Sequence, residues 1–148
     1  TPEAKELGFV GIPNKIDNNL IEKILNKKQV PIISPLGLGN DNHPYNINGD
    51  TAAGAIAKSL KSRRLLLMTN VEGVLDKNNK LIEEISSLEI LKMIEDNTIT
   101  EGMIPKINTC LDAVNNGVTA VGIIDGRKQH SILFEIFSDK GSGTLIRK

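Results

Sequence analysis

The stretch Arg64-Leu65-Leu66-Leu67-Met68-Thr69 decides the fold, because a continuous apolar run is typical of a parallel strand buried on both faces. Apolar residues at helical spacing precede it, which predicts a helix lying close against a sheet. Residues 119–124 form a further apolar run that ends in Asp125-Gly126-Arg127. Because such runs alternate with helical periods, we expect an α/β fold, a single three-layer α/β/α sandwich with a mainly parallel sheet. The helical positions before the first strand are Ala52, Ala53, Ile56, Ala57 and Leu60.

Local signals along the chain predict the remaining elements. Asp17 caps a predicted helix that continues to about Lys27, and the apolar residues 30–35 predict a short buried strand. Residues 37–50 are rich in Gly and Asn and predict a polar loop. The later predicted elements are a hairpin with arms 74–76 and 80–83, a helix opened by a Ser86/Glu89 capping box, helices over 106–115 and 130–137, and a last strand over 143–146.

Composition excludes several classes of function. The chain has 148 residues, which is enough for one domain with a sizeable core, and its 18 basic residues balance 18 acidic ones. Because there is no basic stripe, we expect neither nucleic acid nor a membrane as partner. The single cysteine, Cys110, excludes an internal disulfide and lies on the apolar face of a predicted helix. We therefore expect a buried structural thiol and a reducing compartment, the cytoplasm or a plastid stroma.

Three polar clusters follow predicted strands or open predicted helices. The first is Tyr45-Asn46-Ile47-Asn48-Gly49-Asp50, the second is residues 69–76, and the third is Gly102-Met103-Ile104-Pro105-Lys106. Ligands of open α/β sheets bind beyond strand carboxyl ends and at helix N-termini. Two carboxamides, a carboxylate and a lysine would suit an acidic substrate held beside a polyphosphate. Taken singly, Asp50 also fits a helix cap, Gly73 a tight turn and Lys106 an ordinary surface lysine.

The first and third clusters, with the second between them, resemble the amino acid kinase family, and within it the acetylglutamate kinase branch. The resemblance covers essentially all of residues 1–148 and corresponds to the C-terminal, nucleotide-binding half of the family's fold. It implies transfer of the γ-phosphoryl group of ATP, with Mg²⁺, to the side-chain carboxylate of N-acetyl-L-glutamate in arginine biosynthesis. A nucleotide-bound Mg²⁺ needs no dedicated protein cage, so no residue is assigned to a metal site.

The resemblance also implies roles for individual residues. Lys106 corresponds to the transition-state stabiliser, and Asp50 to the residue that orients the catalytic lysines. Asn46 and Asn48 belong to the substrate-binding motif. The implied nucleotide-binding residues are Thr69, Asn70, Gly73, Leu75, Asp76, Gly102 and Met103.

Three positions depart from the family's pattern. Gly49 replaces an alanine, and Asn70 replaces an aspartate, which keeps the hydrogen-bonding shape but removes a charge. Glu101 replaces the first of two glycines. A carboxylate beside a phosphate site is unfavourable unless it points away or meets a cation.

A fourth cluster lies near the end of the chain. His130, Glu135, Gly141 and Gly143 resemble the segment that binds inhibitory arginine in feedback-regulated members, although His130 and Glu135 alone also fit surface positions of a helix. The implied partners of the full-length protein are L-arginine, a PII-type regulator and further copies in a homo-oligomer.

The other half of the family's fold supplies a glycine-rich loop with a second lysine and most of the acceptor pocket. No early Gly-Gly-x-x-Lys loop follows a strand here, and the chain begins at Thr1 rather than at methionine. We expect this chain to lack the N-terminal acceptor-binding half and to have little or no turnover alone. Two alternatives stay open: a non-catalytic nucleotide- or arginine-sensing module, and another amino acid kinase acting on carbamate, aspartate or the glutamate 5-carboxylate.

Overall fold

The computed structural model describes residues 8–99 and 102–148. Helices and strands alternate along most of this part of the chain, as the apolar pattern predicts. None of the helices in it is long and apolar enough to cross a membrane. In chain order the elements are α1 (Asn18–Asn26), β1 (Leu36–Leu38), β2 (Pro44–Asn46), α2 (Gly49–Ser59), β3 (Arg64–Thr69), β4 (Glu84–Ser86), α3 (Ser87–Glu95), α4 (Ile104–Asn115), β5 (Ala120–Asp125), α5 (Ser131–Phe137) and β6 (Gly143–Arg147).

The main sheet has four strands in the order β3-β5-β6-β4. Strand β3 pairs with β5 and strand β4 with β6 in parallel, whereas β5 and β6 are antiparallel. Two of the three pairings are therefore parallel, which confirms the predicted mainly parallel sheet. In the β3–β5 register Thr69 lies opposite Asp125, so both strands end at one edge, which we call the carboxyl edge. A separate two-stranded hairpin joins β1 and β2.

Helices cover both faces of the main sheet. On one face Leu65, Leu67 and Ile123 pack in a buried cluster with Ile107 and Cys110 of α4. On the other face, Leu66 and Glu135 of α5 lie against Gly122. This arrangement confirms the three-layer sandwich. Cys110 is fully buried, and burial raises the pKa of its thiol to about 12, so the prediction of a buried thiol is also confirmed.

Several local predictions are confirmed. Asp17 accepts a hydrogen bond from the amide of Asn19 at the start of α1, and Ser86 and Glu89 form a reciprocal capping box at α3. The predicted hairpin exists in minimal form, since the amide of Asp76 donates to the carbonyl of Lys80 at 2.9 Å. Helix α4 begins earlier than predicted, with a proline in its first turn, where a missing N–H costs nothing.

The predicted strand over residues 30–35 is wrong. The segment forms neither helix nor strand, and Val30 and Ile32 are 86% and 98% exposed. No strand in the described ranges pairs with it, and an apolar run becomes a buried strand only where a partner and a covering layer exist. Residues 37–50 are also not one loop, since they contain most of the β1–β2 hairpin and the start of α2. Strand β4 was not predicted, because three residues are too few to show the alternation of apolar and polar side chains that is typical of a strand.

Candidate functional site

The carboxyl edge of the sheet collects the predicted polar clusters because of the chain's topology. Helix α2 packs on β3, helix α4 packs on β5, and the two helices pack on each other. A short connection joins the C-terminus of each helix to the start of the strand on which it packs, so helix and strand run in opposite directions. The N-terminus of each helix therefore lies near the carboxyl end of that strand. The clusters at the starts of α2 and α4 therefore lie at the same edge as the cluster after β3. Helix N-termini and strand carboxyl ends are the places where α/β proteins bind phosphates.

An ion pair joins the first turns of α2 and α4. Nζ of Lys106 donates to Oδ2 of Asp50 at 2.5 Å, although 56 residues separate them along the chain. The two side chains are only 17% and 31% exposed, so water screens their attraction less than at an open surface. Asn48 is the N-cap of α2, which leaves the Asp50 carboxylate available to Lys106. The alternative interpretation of Asp50 as the helix cap is therefore wrong.

The two asparagines of the first cluster are held differently. The Asn46 backbone is fixed on both sides, since its amide donates to the carbonyl of Phe9 at 2.8 Å and its carbonyl accepts from the amide of Gly11 at 2.9 Å. Its side chain is exposed. Oδ1 of Asn48 accepts from the amide of Thr51 at 3.1 Å, so this side chain holds the start of α2.

The second cluster forms a tightly packed turn after β3. The carbonyl of Thr69 accepts from the amide of Gly126 at 2.8 Å, while the side chain of Asn70 is exposed. Gly73 is buried with φ +150°, and a Cβ at this position would lie 2.5 Å from Oγ1 of Thr144. The same Oγ1 accepts from the amide of Val74 at 2.8 Å. This turn therefore requires glycine for structural reasons, independently of the nucleotide-binding role predicted for Gly73.

Leu75 and Asp76 continue into the hairpin. Leu75 forms an isolated antiparallel bridge with Leu81. Oδ1 of Asp76 accepts from the amides of Asn78 and Lys80 at 2.8 and 2.9 Å. Asp76 thus has a turn-forming role in addition to the nucleotide-binding role predicted for it.

The third cluster leads into α4. Gly102 is exposed, and a Cβ built on it meets nothing within 4 Å. Met103 precedes the helix and packs partly against the buried cluster. Glu101, the charged departure from the family's pattern, lies outside the described residues.

Asp125 and Arg127 are a pair to which the sequence argument assigned no role. Asp125 is only 3% exposed, and its carboxylate accepts from Nε and Nη2 of Arg127, each at 2.9 Å. These bonds lower the pKa of Asp125 from 3.8 to about 2. Lys128 of the same loop pairs with Glu72 at 3.1 Å, so two loops are joined at the carboxyl edge. The signal available in the sequence was an Asp-Gly-Arg turn directly after a buried strand.

The C-terminal cluster is only partly assembled. Glu135, Gly141 and Gly143 line one cavity of about 250 Å³, but His130 does not line it. Glu135 is 6% exposed, which makes its alternative interpretation as a surface residue wrong. Its Oε2 accepts from the amide of Ser142 at 2.9 Å, and its carbonyl accepts from Nη1 of Arg64 at 3.2 Å.

Both acidic and basic side chains line that cavity. Within residues 8–99 and 102–148, no three His, Cys, Asp or Glu side chains are grouped so that they could hold a metal ion.

Residues 2–125 match the amino acid kinase family. The chain is 56% identical over 146 residues to the acetylglutamate kinase of Pelagibacter ubique (strain HTCC1062), which covers 99% of this chain and 51% of that protein. It is 52% identical over 142 residues to the acetylglutamate kinase of Gluconobacter oxydans (strain 621H), covering 96% of this chain and 48% of the relative. The chain thus spans about half the length of the curated relatives it matches.

Two solved structures illustrate the likeness in fold. N-acetylglutamate synthase from Neisseria gonorrhoeae, complexed with coenzyme A and L-arginine, superposes with a TM-score of 0.88 at 26% identity, over 95% of this chain and 32% of that one. Carbamate kinase from Giardia lamblia bound to AMP-PNP gives a TM-score of 0.68 at 24% identity, over 94% of this chain and 47% of that one. At this identity the second likeness concerns the fold alone.

Proposed function

Since this chain belongs to the amino acid kinase family, we propose that it is the nucleotide-binding, C-terminal half of an acetylglutamate kinase. The complete enzyme would transfer the γ-phosphoryl group of ATP to the side-chain carboxylate of N-acetyl-L-glutamate in arginine biosynthesis, in the cytoplasm or a plastid stroma. One observation carries the proposal: Lys106 and Asp50, which match the family's catalytic positions, meet in a partly buried ion pair. The acetylglutamate kinase relatives support this choice of acceptor over carbamate or aspartate.

The proposed phosphoryl transfer needs correct positioning of the substrates and stabilisation of negative charge, and it needs no general base. A glutamate-type carboxylate has a pKa of about 4.3, so it is ionised at neutral pH and attacks without losing a proton. Lys106 lies in the first turn of α4, where its ammonium group adds to the positive end of the helix dipole. Both would stabilise the negative charge of the transferring phosphoryl group. Asp50 accepts from Lys106 and would fix its direction. The exposed carboxamide of Asn46 would bind the acceptor.

We place the nucleotide along the carboxyl edge, against Thr69, Asn70, Gly73, Leu75, Asp76, Gly102 and Met103. The bonds from Gly126 to Thr69 and from Lys128 to Glu72 support this placement, because they hold the loop after β3 in one position. Mg²⁺ would arrive with the nucleotide and neutralise phosphate charge. At such sites Mg²⁺ is held mainly by substrate phosphates and water, so no protein residue is assigned to it.

Regulation by arginine is part of the proposal for the full-length protein. Glu135 already lies beside a guanidinium, that of Arg64, with Nη1 3.5 Å from Oε1. The adjoining cavity, with Gly141 and Gly143, supports binding of a second guanidinium such as that of L-arginine. His130 enters this effector site only through the sequence resemblance. A PII-type regulator and a homo-oligomer belong to the same proposal.

Binding of MgATP tests the nucleotide role, and the structure offers a matched control. Lys58 and Lys106 each join α2 to α4 through an ion pair, Lys58 with Asp112 and Lys106 with Asp50. In calorimetric titration, we expect Lys106→Ala to weaken binding about tenfold or more, since a charge-assisted hydrogen bond is worth about 1.5–3 kcal/mol. We expect Lys58→Ala to leave affinity unchanged. Absence of MgATP binding by the unaltered chain would contradict the proposal.

Turnover distinguishes an enzyme from the alternative, a non-catalytic sensing module. Asn70 favours that alternative, because it lacks the negative charge of the aspartate found in the family's pattern. A hydroxamate assay should detect no acyl phosphate from this chain alone. With the unmatched part of a relative added back, Lys106→Ala should lower turnover by orders of magnitude. A sensor would bind nucleotide under the same conditions without turnover.

A further inference from the structure

The loop after β3 carries most of the predicted nucleotide-binding residues, and two hydrogen bonds hold its middle part. At the first point the carbonyl of Thr69 accepts from the amide of Gly126 at 2.8 Å. At the second point the amide of Val74 donates to Oγ1 of Thr144 at 2.8 Å. Residues 70–73 therefore form a short span between two fixed points.

The two fixed points differ in kind. The first bond joins two backbone groups and does not depend on a side chain. The second depends on one hydroxyl, that of Thr144. Thr144 is 1% exposed and Val74 is 2% exposed, so water cannot take the place of this hydroxyl as acceptor. The ion pair between Lys128 and Glu72 also holds the loop, but both side chains are about half exposed, and surface pairs of this kind contribute little.

The hydroxyl of Thr144 also replaces a backbone bond at the base of the hairpin. The amide of Ile82 donates to the carbonyl of Val74 at 2.9 Å, which is one of the two bonds that a hydrogen-bonded antiparallel pair exchanges. The second bond would run from the amide of Val74 to the carbonyl of Ile82. Instead, Oγ1 of Thr144 accepts from that amide and donates to that carbonyl, the latter at 2.7 Å. The inserted hydroxyl keeps the two backbone groups apart and sets the direction in which the first arm of the hairpin leaves the sheet.

The span before the hairpin packs directly against the same hydroxyl. A Cβ at Gly73 would lie 2.5 Å from Oγ1 of Thr144 and 3.1 Å from its backbone nitrogen. Gly73 is buried, whereas Asn70, three residues earlier, is exposed. The fixed, buried end of the span therefore adjoins the exposed part that would meet a ligand.

We propose that Thr144 is a positioning residue for the nucleotide, because its hydroxyl holds residues 70–73 in the geometry that receives a nucleoside triphosphate. Thr144 is buried, so it acts through the loop and not by contact with the ligand. This inference rests on the proposed function, since it takes the loop to be part of the nucleotide site. Without the hydroxyl, the amide of Val74 and the carbonyl of Ile82 would pair directly. The base of the hairpin would then close and carry residues 70–73 out of position.

The test measures MgATP affinity by calorimetric titration, well below the thermal midpoint of each variant. Thr144→Val keeps the shape of the side chain but removes the hydroxyl, and it should weaken binding about tenfold, whereas Thr144→Ser keeps the hydroxyl and should bind within about twofold of the unaltered chain. Ile146→Val is the control for lost stability, because Ile146 is fully buried in the same strand. It should lower the thermal midpoint and leave the affinity unchanged.

Amide exchange gives a second measurement, which also decides the matter if Thr144→Val does not fold. In the unaltered chain, the amide of Val74 should exchange as slowly as the amides of β6. Bound MgATP should slow it further. Thr144→Ser should keep this protection, since it retains the acceptor of the bond.

Equal affinity of Thr144→Val and the unaltered chain would overturn this inference and leave the proposed function in place. An equal loss of affinity in Ile146→Val would also overturn it, because the effect would then be one of stability. Rapid exchange of the Val74 amide in the unaltered chain, or loss of MgATP binding by a folded Thr144→Ser, would do the same. Absence of MgATP binding by the unaltered chain would overturn the proposed function and this inference with it.

Discussion

Residues 8–47, which we call the open region because Ile47 is the single buried residue among them, differ from residues 48–148 in how their apolar runs are buried. Residues 30–35 and 64–69 are both short and apolar, and both follow a helix. In the second run Leu65 and Leu67 are 8% and 2% exposed, whereas Ile32 in the first is 98% exposed. Strand β3 has β5 along one edge and α2 across one face. An apolar run therefore does not determine its own burial, because burial needs a partner strand and a covering layer.

The largest expected effect comes from matched isoleucine truncations in the two regions. Ile123 is fully buried in β5, so Ile123→Ala leaves a cavity and should lower the free energy of unfolding by about 2–5 kcal/mol. Ile32→Ala removes an exposed side chain and should change it by less than about 0.5 kcal/mol. Urea unfolding followed by circular dichroism measures both. Equal losses at the two positions would contradict the contrast between the regions.

The second effect compares two glycines of the predicted nucleotide site. Gly73→Ala places a Cβ against Thr144 at φ +150°, and we expect a loss of about 1–3 kcal/mol in unfolding free energy. Gly102→Ala meets nothing within 4 Å and should be close to neutral. Thermal melts without ligand give the comparison. A neutral Gly73→Ala would mean that the turn after β3 repacks without cost.

The third effect compares two helix caps. Ser86→Ala removes the capping box of α3, a helix that buries Ile90, and should cost about 1 kcal/mol of global stability. Asp17→Ala removes a simpler cap, a single hydrogen bond from the amide of Asn19, from α1, which buries no residue. Because α1 can open without unfolding the sheet, loss of the Asp17 cap should speed the local amide exchange of α1 and leave the global melting temperature unchanged. A global effect of Asp17→Ala as large as that of Ser86→Ala would show that the open region unfolds together with the rest.

The smallest effect is the pH dependence contributed by Asp125. Because Arg127 lowers the pKa of this carboxyl from 3.8 to about 2, the stabilisation is present above pH 3.8 and disappears as pH falls towards 2. The difference in thermal midpoint between the unaltered chain and Arg127→Ala should narrow over that interval. Asp41 of the open region also has a lowered pKa, through bonds to the amide of His43 and to Tyr45. Asp41→Asn should leave the global acid transition unchanged, since those bonds break when the open region opens locally.

The sequence predicted which residues belong to the candidate site, but it did not predict how their side chains are arranged in space. The resemblance selected Asp50 and Lys106, and only the packing of α2 on α4 brings them together. Asn48 had the same turn-like pattern as Asn46, yet one side chain caps α2 while the other stays exposed. Asp125 was not selected, because its importance comes from its position opposite Thr69 in the sheet register.

The sequence by itself determined the α/β class, the strand at residues 64–69, the capping box at Ser86 and the buried position of Cys110. Each of these depends on periodicity or on hydrogen bonds within a few residues, which a linear pattern records. The tertiary structure alone decided that Glu135 is buried and that residues 30–35 remain uncovered. It also brought Lys106 to Asp50, a contact that only the family resemblance implied. These outcomes depend on groups far apart in the chain, since burial and ion pairing are properties of what surrounds a side chain and not of the side chain itself.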